Sequence, residues 1–148
     1  MWSLPEMTQQ EFTAALAENR TRAEEIAAAL PRASDEETEA LVREFISCKY
    51  FLTAEEMVTD DLIRLGDRST EKLADLQKGG LRYADKNAGC TTAGSSTIKK
   101  VLLAMALGKA IGTKLDADDV AYAETIPQLA RLVIRARADS RSDRESGN

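Results

Sequence analysis

The stretch Ser96-Thr97-Ile98-Lys99-Lys100-Val101-Leu102-Leu103-Ala104-Met105-Ala106-Leu107-Gly108-Lys109-Ala110-Ile111 decides the fold of this chain. Wound at 3.6 residues per turn, Ile98, Val101, Leu102, Leu103, Met105, Ala106, Leu107, Ala110 and Ile111 leave it apolar nearly all round. A helix of about 97 to 112 with such a coat belongs at the centre of a bundle. Just before it stands Ala88-Gly89-Cys90-Thr91-Thr92-Ala93-Gly94-Ser95-Ser96-Thr97, where glycines, a cysteine and five hydroxyls meet a helix N-terminus. Residues 79 to 96 show neither helical nor strand period. A loop of that length inside a compact domain is usually functional or disordered.

Working outward, three capping boxes mark further helix starts: Thr8 with Glu11, Ser34 with Glu37, and Thr53 with Glu56. The first helix is predicted over about 9 to 30, stopping at Pro31, with Phe12, Ala15, Leu16, Ala23, Ile26, Ala27 and Leu30 on its apolar face. The second spans about 35 to 51 and buries Leu41, Val42, Phe45, Ile46 and Cys48. A third runs over about 54 to 65, with Gly66 as its C-terminal stop. A fourth, about 68 to 78, ends at Gly79-Gly80. Asp116 caps a short turn through Val120, and Thr125 caps a last helix of about 126 to 138 with Pro127 in its first turn. Beyond it the Ser/Asp/Arg-rich end reads as a solvated tail. No strand pattern survives, so the expected fold is all-α.

The composition narrows the function. The chain has 148 residues, 43% of them hydrophobic and 30% charged, and a net charge of −5. That balance suits a globular protein and argues against nucleic acid as the main partner, which needs a basic face. No apolar run reaches the length of a membrane span, and the first residues lack a signal peptide's apolar core. Cys48 and Cys90 make no disulfide framework, so a reduced, cytoplasmic protein with no membrane association is expected. There is no histidine anywhere. Ser-His-Asp triads, Cys-His pairs and most zinc sites are thereby excluded, and an enzyme is the less favoured class.

The loop holds the candidate site. Ser95, Ser96 or Thr97 would cap the helix, whose start suits anions; Lys99 and Lys100, in the first turn, either strengthen that attraction or are merely solvated. Gly89 to Ser96 brushes against the phosphate-binding P-loop, but the motif's lysine is replaced by Ser95 and no strand precedes it. Cys90, near the same helix start and both lysines, is the candidate reactive thiol; an inert loop residue is the plain alternative. Cys48 reads as core filler. Glu55, Glu56, Asp60 and Asp61 lack metal-ligand spacing and read as a solvated face, and no metal site is expected.

From Ser96 to Leu107 the chain resembles the Asp-Ser-Leu motif and following helix of acyl carrier proteins, including a Met-Ala-Leu segment at Met105-Ala106-Leu107. The agreement continues through Ile111, Gly112-Thr113-Lys114-Leu115, the acidic Asp116-Ala117-Asp118-Asp119 and Glu124-Thr125-Ile126. The resemblance implies an acyl-carrier-like C-terminal half, with an added N-terminal helical hairpin over 1–50, a carrier-like helical bundle over 51–138 and a disordered tail over 139–148, together one compact domain. It also implies 4′-phosphopantetheine on the motif's serine. In the ungapped match Thr97 takes that serine's place and Ser96 the aspartate's; a shift of one residue offers Ser96 but puts Ser95 at the aspartate. Lys99 and Lys100 replace acidic residues that partners of carrier proteins grip. The expectation is a non-catalytic carrier-like or accessory protein that docks on a partner enzyme and presents a thiol or modified group from residues 89–97. The alternatives are a structural or interaction bundle without chemistry, and a cysteine-dependent enzyme.

Overall fold

A computed structural model describes residues 7–82 and 95–146 of the chain. Its described residues form six α-helices: α1 (Gln9–Ala29), α2 (Asp35–Tyr50), α3 (Leu62–Lys78), α4 (Ser96–Ile111), α5 (Ala117–Tyr122) and α6 (Ile126–Ser146). Among them there is no β-strand. A single antiparallel bridge between Asp61 and Thr125 joins the chain entering α3 to the chain entering α6. The all-α expectation holds, and no described helix is long and apolar enough to cross a membrane.

The two N-terminal capping boxes form as their spacing dictates. Thr8 Oγ1 accepts from the Glu11 N–H, Ser34 Oγ accepts from the Glu37 N–H, and each glutamate closes its box by accepting from the cap residue's own N–H. Pro31 ends α1 through one 3-10 turn, Leu30–Arg32. Phe12, Ala23, Ile26 and Leu30 are buried on the predicted face of α1. Helix α2 closes on Phe51, a left-handed residue with φ 55°. That conformation costs a non-glycine residue about 1 kcal/mol or more. Its buried ring offsets the strain by meeting Phe12 edge-on at 5.3 Å, within a small cluster completed by Leu73, Leu76 and Leu81.

The middle of the chain differs from the sequence reading. Thr53 and Glu56 do make their reciprocal bonds, but they close only a turn. The helix starts later, at Asp61, whose Oδ1 accepts from the Arg64 N–H, and runs unbroken through Gly66 to Lys78. Gly66 is no stop. A Cβ there would lie 2.8 Å from Ser96 Cβ and 3.0 Å from Ser96 Cα, so glycine is what lets α4 seat on α3. One helix therefore replaces the predicted third and fourth. The acidic stretch is not simply solvated either. Glu56 pairs with Lys72 at 2.6 Å, Asp60 pairs with Arg43, and Asp61 is the cap.

Helix α6 also departs from expectation, continuing to Ser146 where a tail was expected from 139. Its inner side explains part of this. Arg137 is buried and donates to the Leu30 carbonyl at 2.6 Å and to Asp35 Oδ1 at 3.1 Å, while Arg141 donates to the Pro31 carbonyl. Carbonyls released where Pro31 breaks α1 are thus satisfied from the far end of the chain. The hairpin of α1 and α2 shares one core with the rest, reaching from Ala23, Ile26 and Phe45 through Leu62 and Leu103 to Leu129 and Val133.

Replacing Gly66 by Ala should destabilise the protein by about 1–3 kcal/mol in urea unfolding, although alanine is the better helix former by about 1 kcal/mol. Glu56 gives a pH-dependent counterpart. Burial pushes its carboxyl up, but the Lys72 ammonium and the Thr53 N–H outweigh this and hold it below its ordinary 4.5. Its stabilisation is therefore full near neutral pH and lost as pH falls through the carboxylate range. Urea titrations from about pH 7 to pH 3 should show Glu56→Gln weaker than the parent by about 1–2 kcal/mol at the top, with the two converging toward the bottom.

Candidate functional site

Helix α4 is capped by Ser95, whose Oγ accepts from the Ile98 N–H at 3.2 Å. Of the three hydroxyls expected at this start, Ser95 is the cap, Ser96 is half-buried with its Cβ against Gly66, and Thr97 is exposed. The structure thus brings Ser95, Ser96 and Thr97 together at one helix end. Cys90 and the other residues of 83–94 lie outside the described residues.

The two lysines point elsewhere. Lys99 and Lys100 are 1% and 8% exposed, on the face of α4 that also buries Leu103, Ala104, Leu107 and Ile111. A buried ammonium is tolerable only where polar groups receive it. Lys100 Nζ donates to the carbonyls of Ala123 at 2.6 Å and Ala121 at 3.1 Å, at the end of α5. Lys99 Nζ lies 5.6 Å from the centre of the Tyr50 ring, within cation–π range.

Turning both lysines inward turns part of the apolar coat outward. Ile98, Val101 and Met105, at i, i+3 and i+7, are 57%, 48% and 63% exposed. Helix α4 is therefore not the fully enclosed central helix its composition predicts. It is buried on one side and open on the other.

The open side leads into a groove of about 660 Å³ between α4 and α5. Val101, Ala104 and Met105 form one wall; Leu115, Ala117 and Val120 form the other. Two glycines build it. Gly112, with φ 76°, ends α4 in the left-handed conformation that reverses the chain. Gly108 lets the returning segment close on the helix: a Cβ there would lie 2.8 Å from the Thr113 carbonyl oxygen, and the Thr113 N–H donates to the Gly108 carbonyl at 3.0 Å. Asp116 then starts α5 by accepting from the N–H groups of Asp118 and Asp119.

Sequence reasoning singled out the hydroxyls and lysines but missed this groove. The signal available was Gly108, a glycine inside an otherwise strong helix. Cys48 is buried; burial and then the nearby Glu44 push its thiol up, away from the thiolate a nucleophile needs at neutral pH. Comparison of the chain with protein-family models, curated proteins and solved structures finds no match.

The two faces of α4 should respond oppositely to substitution. Lys100→Ala should cost about 1.5–3 kcal/mol in urea unfolding, since it strips a charged donor from two carbonyls and leaves a cavity. Met105→Gln on the open face should stay within about 0.5 kcal/mol of the parent.

Proposed function

We propose that the protein is a non-catalytic accessory module of the carrier type, which docks on a partner enzyme through the open face of α4 and presents a group held in residues 89–97. The observation that carries this reading is the outward row of Ile98, Val101 and Met105, which begins one residue after Thr97 and runs into the α4–α5 groove. Apolar side chains at helical spacing beside a groove suit a protein partner, because their desolvation on contact supplies affinity and the groove supplies register. Burial of Lys99 and Lys100 favours the same end by removing two charges from that surface. The succession of α4, an acidic turn, short α5 and α6 agrees with the carrier resemblance in the C-terminal half.

The group to be presented has two candidate positions. For 4′-phosphopantetheine, Thr97 is the exposed hydroxyl, whereas Ser96 is packed against Gly66. Such an arm, when bound, supplies a terminal thiol for acyl transfer, and α4 supplies the docking face beside it. Without an arm, Cys90 offers the thiol.

The test has two arms on protein made in its native host. A photo-cross-linking residue at position 98 should capture one enzyme, and Val101→Glu should abolish that adduct while leaving the far-UV circular dichroism unchanged. Intact mass under non-reducing conditions should show a pantetheine arm on Thr97 or an acyl or sulfur adduct on Cys90. An unmodified chain that still cross-links would overturn the carrier half and leave an interaction bundle. A chain that cross-links to nothing at position 98 would overturn the docking face.

A further inference from the structure

On the opposite flank of α4 a second recess, about 730 Å³, opens between α1, α2 and α4. It exists because α1 and α4 meet there largely through alanines, among them Ala27 of α1 and Ala106 of α4, whose short side chains leave the space open. Phe45 of α2 also lines it and is almost wholly buried. The apolar lining therefore comes from three helices that only the tertiary fold brings together.

Charge around the recess runs against the charge of the chain. The protein as a whole carries −5, yet the lining includes three cations, Arg20, Lys49 and Lys109, against one carboxylate, Glu24. Each cation comes from a different helix: Arg20 from α1, Lys49 from α2 and Lys109 from α4. Lys49 Nζ stands 5.5 Å from the centre of the Phe45 ring, so a positive group and an aromatic face are presented side by side. A concave, low-dielectric wall focuses such a field on whatever enters. The volume lies within the range of roughly 300–1,000 Å³ usual for small-molecule sites.

We infer that this recess is a binding site for an organic phosphate: an anionic phosphoryl head on a flat apolar body. A guanidinium suits a phosphate because its fork of N–H donors matches two phosphate oxygens, and two ammonium groups add charge without demanding fixed geometry. With Glu24 set against the three cations the lining keeps a net positive charge, which suits an anionic phosphoryl head. The alanine walls and Phe45 receive the body. Inorganic phosphate meets only the charged half of this lining, and a neutral aromatic molecule only the apolar half. Lys109 lines both this recess and the α4–α5 groove, but the inference does not rest on the docking role proposed for that groove.

Titration of the isotopically labelled full chain with 1-naphthyl phosphate, followed by amide chemical shifts, tests the inference. Saturable binding is expected, with shifts centred on Ala27, Phe45 and Ala106, and with inorganic phosphate and 1-naphthol each binding at least about tenfold more weakly. Arg20→Gln and Lys49→Gln should each weaken 1-naphthyl phosphate about tenfold, and added salt should weaken it further. Tyr122→Gln, at an exposed α5 position outside the recess lining, should leave the affinity unchanged; all three substituted side chains reach solvent, and circular dichroism checks each fold. The inference is overturned if 1-naphthol binds as tightly as its phosphate, if neither Arg20→Gln nor Lys49→Gln changes affinity, if the shifts fall instead on Val101 and Leu115, or if no saturable binding occurs at millimolar probe.

Discussion

Lys100 reaches from the first turn of α4 to the carbonyls of Ala121 and Ala123, and the orientation of the whole helix depends on that tie. An ammonium group taken out of water must be received by acceptors or returned to solvent. With its acceptors supplied by the end of α5, the Lys100 face of α4 turns inward together with Leu103, Leu107 and Ile111. The opposite face, with Ile98, Val101 and Met105, is left in solvent. Fully burying such a side chain is worth about 1.5–3 kcal/mol, and roughly half of that is still to be gained by each, so the exposed row is a standing drive toward contact with something apolar.

The same economy of backbone groups governs the other end of the bundle. Pro31 releases carbonyls at the end of α1, and Arg137 and Arg141 of α6 donate to two of them. Ser69 performs the equivalent task at the end of α2, donating to the Tyr50 carbonyl at 2.6 Å from within α3. Helix ends that the chain leaves unsatisfied locally are satisfied by side chains distant in sequence, and those bonds fix how the helices stack. The N-terminal hairpin is consequently part of the common core rather than an appendage to it.

The sequence was most legible where the relevant physics is local. Thr8 with Glu11 and Ser34 with Glu37 announce helix starts because both partners lie within one turn. The same box at Thr53 and Glu56 forms yet propagates no helix, because Asp61 offers a cap eight residues further on and α3 begins there. Gly66 misled for a related reason. A glycine reads as a helix stop when only its own helix is considered, whereas here it makes room for Ser96 of another. Lys99 and Lys100 were readable as solvated charges because nothing nearby in the chain reveals the carbonyls of Ala121 and Ala123 that receive Lys100.

The amino-acid sequence by itself determined the all-helical class, two of the three proposed capping boxes as helix starts and the end of α1 at Pro31. Periodicity, caps and special backbone conformations act within a few residues, so they are written in the chain. Which side of an almost uniformly apolar α4 faces out was decided only in three dimensions. A helix coated with apolar residues states no preference of its own; the preference came from distant carbonyls able to hold a buried ammonium and from glycines that let neighbouring segments approach. The groove between α4 and α5 exists for that reason, and the cationic recess opens where α1 and α4 meet through alanines.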